Sequence, residues 1–243
     1  MKRRLMRLPL SFVFLTVAAS AQTNIIVNGS FESGLTGWTQ GTFLETGAAG
    51  TCSYNATVAP GTETLTGLPG FPATNGTMIA LGSVTSTSGQ PDRINCVLYQ
   101  DVAIPVGATT ASFSVDFGVK GVTVTGSSGI FVGLYPTTKI PGLLDATAAG
   151  TDIFYVVPGP DSTLTTHSSG IFSVAGVAGT TVRFALINGA FQNGSEVGGF
   201  DNVKLLITAP SSVPALSDWA LAVLTILLSG AAFLAVRRLK VAR

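Results

Sequence analysis

Charged side chains are scarce in this sequence. Lys, Arg, Asp and Glu make up 10% of the 243 residues, against about a quarter in typical soluble domains, and the mean hydropathy is +0.50. Disordered chains combine low hydrophobicity with high net charge, so this composition argues against that class. Nucleic-acid-binding proteins need a basic field, whereas the formal net charge here is +1. We therefore expect a folded protein that does not bind nucleic acid.

Residue types that carry hydrolytic chemistry are also few. The single histidine, His167, lies in a polar Thr/Ser run and is predicted to be a solvated loop residue. The sequence has no His-Glu-x-x-His or Gly-x-Ser-x-Gly pattern, no Gly-x-x-x-x-Gly-Lys loop and no dinucleotide fingerprint. Glycosidases need two carboxylates at a set separation, so pairs such as Glu45 and Glu63 leave a glycoside-active enzyme as an alternative. We predict a protein that is not an enzyme.

The basic residues that are present cluster at the two ends. Eight of the 13 Lys and Arg residues lie in 1–7 and 237–243. Between Gln22 and Ser212 there are five basic and eleven acidic residues, a net charge of −6. An acidic body between basic ends indicates that the ends and the body have different roles.

The first 21 residues have the pattern of a secretory signal peptide. A basic segment at 1–7 precedes an apolar run at 8–18, and Ala19-Ser20-Ala21 forms a small-residue cleavage site. We predict that 1–21 is a signal peptide cut after Ala21. An uncleaved anchor helix is the alternative, although the apolar run is short for a membrane span.

The C-terminus has the pattern of a transmembrane helix. Residues 219–236 contain no charge, and 18 residues of helix cover about 27 Å of a hydrocarbon core of about 30 Å. Asp218 precedes this run, Arg237 and Arg238 follow it, and Trp219 is placed for the membrane interface. The positive-inside rule puts the basic end in the cytoplasm, so the body is expected outside the inner membrane.

The residues before this helix resemble the IPTL-CTERM sorting domain, a relative of PEP-CTERM with the pattern Ile-Pro-Thr-Leu-Ser-Glu-Trp-Gly. Four positions match that pattern and the rest are conservative departures. The resemblance implies a bacterial surface protein handled by an exosortase-type transpeptidase, first in the inner membrane and then at the cell surface or outside the cell; a simple membrane anchor is the alternative. The sorting region is expected at 210–243. Its motif residues are Val213, Pro214, Ala215, Leu216, Ser217, Asp218 and Trp219.

The body, 22–209, is predicted to be all-β. Residues 111–119 alternate between apolar and polar side chains, with Asp116 on the polar side, as in a half-buried strand. Turn clusters rich in Gly, Pro, Asn and Ser separate further short runs rich in Val, Ile, Phe and Tyr. This pattern favours a single jelly roll or β-sandwich. The other expected strands are 97–104, 130–135, 153–157, 171–174, 182–187 and 200–207.

The two ends of the body resemble galactose-binding-like jelly rolls, a group that includes family-4-type carbohydrate-binding modules. The resemblance rests on 28–32 with Gly37-Trp38, on 76–82 and 98–102, and on 199–205. It covers most of the body and implies the fold better than the ligand.

The same resemblance implies a structural calcium ion. In that fold the first-strand Glu and the last-strand Asp often hold Ca²⁺ with backbone carbonyls, and the corresponding residues are Glu32 and Asp201. Carboxylates and carbonyls are the hard oxygen donors that Ca²⁺ prefers. Two solvated carboxylates are the alternative.

The only cysteines, Cys52 and Cys96, are predicted to form a disulfide, because an even pair in an exported chain favours one. Two free buried thiols are the alternative.

Carbohydrate or matrix binding is the leading functional hypothesis. Sugar rings pack on exposed aromatic side chains while nearby polar groups bond their hydroxyls. A structural envelope or matrix protein without a defined ligand is the alternative, and Trp38 is expected in the core. The candidate ligand-binding residues are Tyr54, Tyr99, Tyr135 and Tyr155.

Overall fold

The computed structural model describes residues 20–44, 47–62, 67, 70–87, 93–120, 129–138, 153–156, 163–191, 194–210 and 223–230. Most of the predicted signal peptide, the sorting motif at 213–219, Glu45 and Glu63 lie outside these residues. Within them the secondary structure is almost entirely strand.

Twelve strands are found among the described residues. They are β1 (Ser20–Asn24), β2 (Thr39–Leu44), β3 (Gly50–Val58), β4 (Met78–Ser86), β5 (Arg93–Ala103), β6 (Thr110–Lys120), β7 (Gly129–Tyr135), β8 (Ile153–Val156), β9 (Thr165–Ser168), β10 (Phe172–Ser173), β11 (Thr181–Phe191) and β12 (Ser195–Pro210). A short 3-10 helix, Ala175–Val177, lies between β10 and β11.

The strands form two sheets. The seven-stranded sheet has the order β10-β6-β12-β4-β3, with β1 beside β12 and β9 beside β6, and the five-stranded sheet has the order β2-β5-β11-β7-β8. The described ladders are antiparallel. The prediction of an all-β sandwich is confirmed.

The side chains between the sheets form one apolar core. Phe113 of β6 meets Phe184 of β11 edge to face, with ring centroids 5.6 Å apart. Inward residues of both sheets join this cluster, as expected for two sheets packed face to face. Trp38 is buried as predicted, and its Nε1 donates a hydrogen bond to the carbonyl oxygen of Asn28 (3.1 Å).

Polar strands were missed by the apolar pattern. β2, β3 and β9 are rich in Gly, Thr, Ser and Asn, and β2 and β3 are edge strands. The expectation of a loop around His167 is wrong, because β9 pairs with β6 and places His167 opposite Val115. Edge strands bury one face only in part, so hydrophobicity marks them weakly.

A β-bulge interrupts β12 beside β6. The register shifts between Asp201 and Lys204, and Asn202 has a φ of 49°. The Val203 N–H donates to the carbonyl oxygen of Gly29 (2.8 Å), so the bulge pairs with the turn that follows β1. A bulge changes the direction in which neighbouring side chains point, and Asp201 lies at this bulge.

Ala21–Ala209 form one compact unit. The described part of the C-terminal region is a helix over 223–230, in which Ile226 and Leu227 are exposed. None of the helices in the described ranges has the length and apolar character needed to cross a membrane. The span over 219–236 therefore stays a prediction.

Candidate functional site

The outer face of the five-stranded sheet carries an aromatic cluster. Side chains along β5 alternate between faces, and Leu98 points into the core between the sheets. Tyr99 therefore lies on the opposite face, which we call the tyrosine face. It is defined by Val97, Tyr99, Asp101, Phe131, Tyr135, Arg183, Ala185 and Ile187.

An arginine organises one end of the tyrosine face. The Arg183 guanidinium carbon lies 3.8 Å from the centroid of the Tyr99 ring, a cation–π contact. Arg183 Nε and Nη2 donate to the two carboxylate oxygens of Asp101 at 2.8 and 2.9 Å. This bidentate geometry fixes the guanidinium plane. The Tyr99 ring is thereby held in one orientation.

The burial of this ion pair is uneven. The side chain of Arg183 is 8% exposed and that of Asp101 is 39% exposed. Hydrogen bonding to Asp101 raises the pKa of Arg183, and burial opposes that shift. The guanidinium stays charged at any physiological pH, so Asp101 offers a neutralised carboxylate at the surface.

The four predicted tyrosines do not share one surface. Tyr99 and Tyr135 both lie on the tyrosine face, where Tyr135 is the register partner of Arg183 on β7 and is buried. Tyr54 lies between the sheets, and its hydroxyl donates to the carbonyl oxygen of Cys96 (3.2 Å). Burial raises the pKa of Tyr54, with the nearby Glu196 carboxylate adding to the shift. Tyr155 lies on β8, and its side chain is outside the described set.

Among the predicted tyrosines whose side chains the structure describes, Tyr99 alone is partly exposed with a hydroxyl that makes no hydrogen bond to the described residues. Tyr99 is half-buried, and its Oη makes no hydrogen bond within the part of the chain that the structure describes. Its register partner on β2, Thr39, is exposed. An aromatic ring beside a planar guanidinium and a surface carboxylate can stack on a sugar and bond its hydroxyls.

Asn95 is a second polar group on this side of β5. It is fully buried, and neither its amide nitrogen nor its amide oxygen has a hydrogen-bond partner among the described residues. Buried amides without partners are rare. Asn95 is therefore a polar group that a ligand or water could satisfy.

Arg183 and Asp101 were missed at the sequence level. Asp101 is the one acidic residue of β5, and Arg183 is the one charged residue of β11. Charged residues are seldom buried unless paired, so two such charges in neighbouring strands were a usable signal.

Glu32 binds the backbone of a loop. Its Oε1 accepts hydrogen bonds from the N–H groups of Thr77 (2.8 Å) and Met78 (2.7 Å), and its Oε2 accepts one from Thr77 Oγ1 (3.1 Å). The backbone bonds of Met78 and then Thr77 lower the pKa of Glu32. Gly76 has a φ of +80°, and a Cβ there would lie 2.4 Å from Glu32 Oε1, so only glycine fits.

Asp201 binds the same loop from the other side. Its Oδ2 accepts the N–H groups of Thr74 and Asn75, both at 2.8 Å, and its Oδ1 accepts the N–H of Asn202 at 2.6 Å. Asp201 is 0% exposed. Glu32 and Asp201 together hold the segment 70–78, which we call the strap, on the outer face of the seven-stranded sheet.

The strap also buries the carboxylate of Asp116. The alternation in the sequence predicts that this residue lies on the polar, solvent-facing side of its strand. Asp116 is the register partner of Asp201 and is 4% exposed. It accepts hydrogen bonds from Thr74 Oγ1 (2.6 Å), Thr166 Oγ1 (2.5 Å) and Asn202 Nδ2 (3.1 Å). The alternation along β6 was right, but the strap covers that face.

These contacts bear on the predicted calcium ion. The oxygens of Glu32 and Asp201 already accept backbone N–H groups, and no group of three or more His, Cys, Asp or Glu suited to a metal occurs among the described residues. The hydrogen bonds from these N–H groups account for the positions of both carboxylates without a bound cation. Calcium ligation stays a prediction, which melting temperatures in calcium and in EDTA test.

The disulfide is confirmed. Cys52 of β3 and Cys96 of β5 are bonded, with their Cα atoms 5.4 Å apart. β3 belongs to the seven-stranded sheet and β5 to the five-stranded sheet. The bond therefore links the two layers of the sandwich.

The His167 side chain is half-buried. Its ring stacks on that of Phe117 with centroids 3.8 Å apart, and its Nε2 lies 2.9 Å from Thr165 Oγ1. Phe117 belongs to the core between the sheets. His167 thus closes the edge of that core.

The tail matches a known motif. Residues 211–238 match the model of the IPTL-CTERM motif, which confirms the resemblance seen in the sequence. No curated protein matches the chain.

Solved structures with a similar fold include an enzyme and carbohydrate-binding modules. A Stig cyclase, Fisc, from Fischerella sp. TAU is 16% identical with a TM-score of 0.50, and the match covers 79% of this chain and 100% of the cyclase. TmCBM61, solved with beta-1,4-galactotriose, is 12% identical, TM-score 0.44, covering 75% of this chain and 97% of the module. A CBM4 module is 13% identical, TM-score 0.41, covering 75% and 99%. The chain therefore has a β-sandwich body followed by an IPTL-CTERM motif at residues 211–238.

Proposed function

We propose that this chain is an exported bacterial surface protein whose jelly-roll body binds carbohydrate, without catalysis, on the tyrosine face. The observation that carries the proposal is the Tyr99 ring, half-buried and fixed by the Arg183 guanidinium at 3.8 Å. A pre-oriented aromatic ring loses little conformational entropy when a sugar stacks on it.

The electrostatics of the tyrosine face favour a neutral sugar. Arg183 and Asp101 neutralise each other through two hydrogen bonds, so the patch has no strong field of either sign. The Tyr99 hydroxyl and the exposed Asp101 oxygens remain in reach of sugar hydroxyls. An extracellular polysaccharide is the ligand class that supplies such hydroxyls in repeated form.

The tail supports export and anchoring. The IPTL-CTERM match at 211–238, the apolar run at 219–236 and the basic end at 237–243 favour a span with the body outside the inner membrane. An exosortase-type enzyme would then cut near Pro214 and pass the body to the surface or the medium. Mass spectrometry of the mature C-terminus tests this step, and an intact Arg243 in surface fractions would contradict it.

A glycan array probed with the full chain in detergent tests the binding proposal. We expect binding to neutral oligosaccharides that Tyr99→Ala abolishes, because the stacking ring is lost. Asn55→Ala is the matched control, since Asn55 is exposed on β3 of the other sheet. Release of shorter sugars during incubation would show catalysis instead. If the chain binds no sugar on the array, a structural role in the extracellular matrix is favoured.

A further inference from the structure

Two glutamine side chains of the five-stranded sheet bond backbone groups across the sandwich. Gln40 of β2 donates from Nε2 to the carbonyl oxygen of Tyr54 (3.1 Å), and its Oε1 accepts the Tyr54 N–H (3.0 Å). Gln100 of β5 makes the same two bonds to the carbonyl oxygen and the N–H of Val27. A glutamine amide has both a donor and an acceptor, so each side chain satisfies both backbone groups of one residue.

The Gln40 contact lies at the middle of an edge strand. Tyr54 is the central residue of β3, which runs Gly50–Val58, and β3 is the last strand of its sheet with β4 on one side. The Gln100 contact is different, because Val27 lies in a bend after β1.

The backbone groups of Tyr54 face the free edge of β3. The Ala59 N–H donates to the carbonyl oxygen of Thr77, and the Thr87 N–H donates to that of Ala49, both at 2.8 Å. These bonds continue the ladder between β3 and β4 at odd-numbered residues of the β3 side. Successive residues of an antiparallel strand turn their backbone groups to opposite sides. The even-numbered residues of β3, Tyr54 among them, therefore turn theirs away from β4.

The edge of β3 lacks the protection that edge strands usually have. Natural edges are protected by charged side chains, prolines or bulges. β2 and β3 contain no Lys, Arg, Asp, Glu or Pro, and the register between β3 and β4 runs without a shift from Gly50 to Val58. A nine-residue edge of this kind is open to pairing with another strand, except where the Gln40 amide occupies it.

We propose that the Gln40 amide blocks strand addition at the free edge of β3, and that a second copy of this chain pairs there when the amide is removed. The position of Tyr54 favours a second copy as the partner. In an antiparallel pair of two β3 strands centred on Tyr54, the two Tyr54 residues exchange both N–H···O bonds. Gln40 makes these same two bonds within one chain. Two uncharged strands also meet without repulsion between like charges. Gln40 is not among the residues of the tyrosine face.

The test measures the protein mass per particle of the full chain in detergent, by light scattering over a range of concentrations. Gln40→Ala removes both bonds to Tyr54 and leaves its backbone groups free to pair. We expect its protein mass to be twice that of the wild-type chain. Gln40→Thr is the second variant, because threonine suits a strand and lacks the amide. It should give the same doubling.

Two further variants separate edge pairing from other association. Gln100→Ala removes the same two kinds of bond, but from a bend. Gln100 is buried whereas Gln40 is exposed, so this change tests the effect of lost stability, and the mass should stay that of the wild-type chain. Adding Ala56→Pro to Gln40→Ala removes an N–H that faces the free edge, a position where edge strands accept proline. The mass should then return to the wild-type value.

The outcomes decide whether Gln40 guards the edge. An unchanged mass in both Gln40 variants would overturn the proposal. A doubling that also occurs in Gln100→Ala, or that persists with Ala56→Pro, would place the association on another surface and overturn it as well. The disulfide between Cys52 and Cys96, measured by thiol labelling, reports the folding of each variant. If neither Gln40 variant forms it, the amide is required for folding and the guard role is overturned.

Discussion

The outer faces of the two sheets use their charged residues differently. On the seven-stranded sheet, the carboxylates of Glu32, Asp116 and Asp201 are bonded to the strap and its surroundings. On the tyrosine face, the carboxylate of Asp101 is partly exposed and orients Arg183 against Tyr99.

This difference separates structure from recognition. A carboxylate that accepts hydrogen bonds from backbone N–H groups stabilises the fold, because removing it leaves buried donors unpaired. In the Asp101–Arg183 ion pair the carboxylate is 39% exposed, and solvent screening reduces what such a pair adds to stability. The informative role of this pair is therefore to orient the Tyr99 ring. We therefore expect changes on the first face to alter unfolding, and changes on the second to alter binding.

The largest expected effect comes from the bond that holds the two sheets together. The double change Cys52→Ala and Cys96→Ala opens a loop with a sequence separation of 44. It should lower the free energy of unfolding by about 4 kcal/mol in the chain-entropy model. Urea unfolding followed by circular dichroism measures this, and a change below about 1 kcal/mol would contradict a linking role for the bond.

On the seven-stranded sheet, Asp201→Ala should be the most damaging single change. It removes the acceptor for the N–H groups of Thr74, Asn75 and Asn202. We expect a loss of about 3 kcal/mol in unfolding free energy. The fraction of the variant that remains folded should bind carbohydrate with unchanged affinity. A weaker affinity of the folded variant would contradict the division between a structural face and a binding face.

On the tyrosine face, Arg183→Ala should show the reverse pattern. The Asp101 carboxylate that is left without its partner is 39% exposed and can be solvated, so the stability loss should be about 1 kcal/mol. The Tyr99 ring loses the group that orients it, and the dissociation constant should rise about tenfold. Calorimetry with an oligosaccharide from the array measures this; unchanged affinity would remove Arg183 from the site.

The smallest expected effect is a pH dependence from Glu32. Its pKa is lowered from the usual 4.5 by hydrogen bonds from Met78 and Thr77. A depressed folded-state pKa gives stability that is present above the unfolded-state pKa and is lost as pH falls through the folded-state pKa. Unfolding free energies of the wild-type chain and Glu32→Gln should therefore converge as pH falls below 4.5. A gap that stays constant in acid would contradict this role for the carboxylate.

The sequence predicts the sandwich because the central strands are strongly apolar, as in the alternation along β6. It misses β3 and β9 because their composition resembles that of turns.

The site is predicted less completely than the fold. The disulfide between Cys52 and Cys96 could be predicted because these are the only two cysteines in the sequence. The sequence does not show that Tyr54 lies between the sheets while Tyr99 lies on an outer face. That distinction depends on which face of β3 and of β5 is turned toward the core, and composition does not give it. The strap contacts join residues as far apart as Thr74 and Asp201, and no local pattern encodes such a distance.

One paired measurement tests the division between the two faces most directly. The affinity for an array-identified oligosaccharide and the free energy of unfolding are measured for Tyr99→Ala and for Asp201→Asn in the full chain. We predict that Tyr99→Ala weakens binding at least about tenfold and lowers the free energy of unfolding by less than Asp201→Asn does. Asp201→Asn should destabilise the fold and leave the affinity of the folded protein intact. Binding that survives Tyr99→Ala, or that fails in folded Asp201→Asn, would contradict the account.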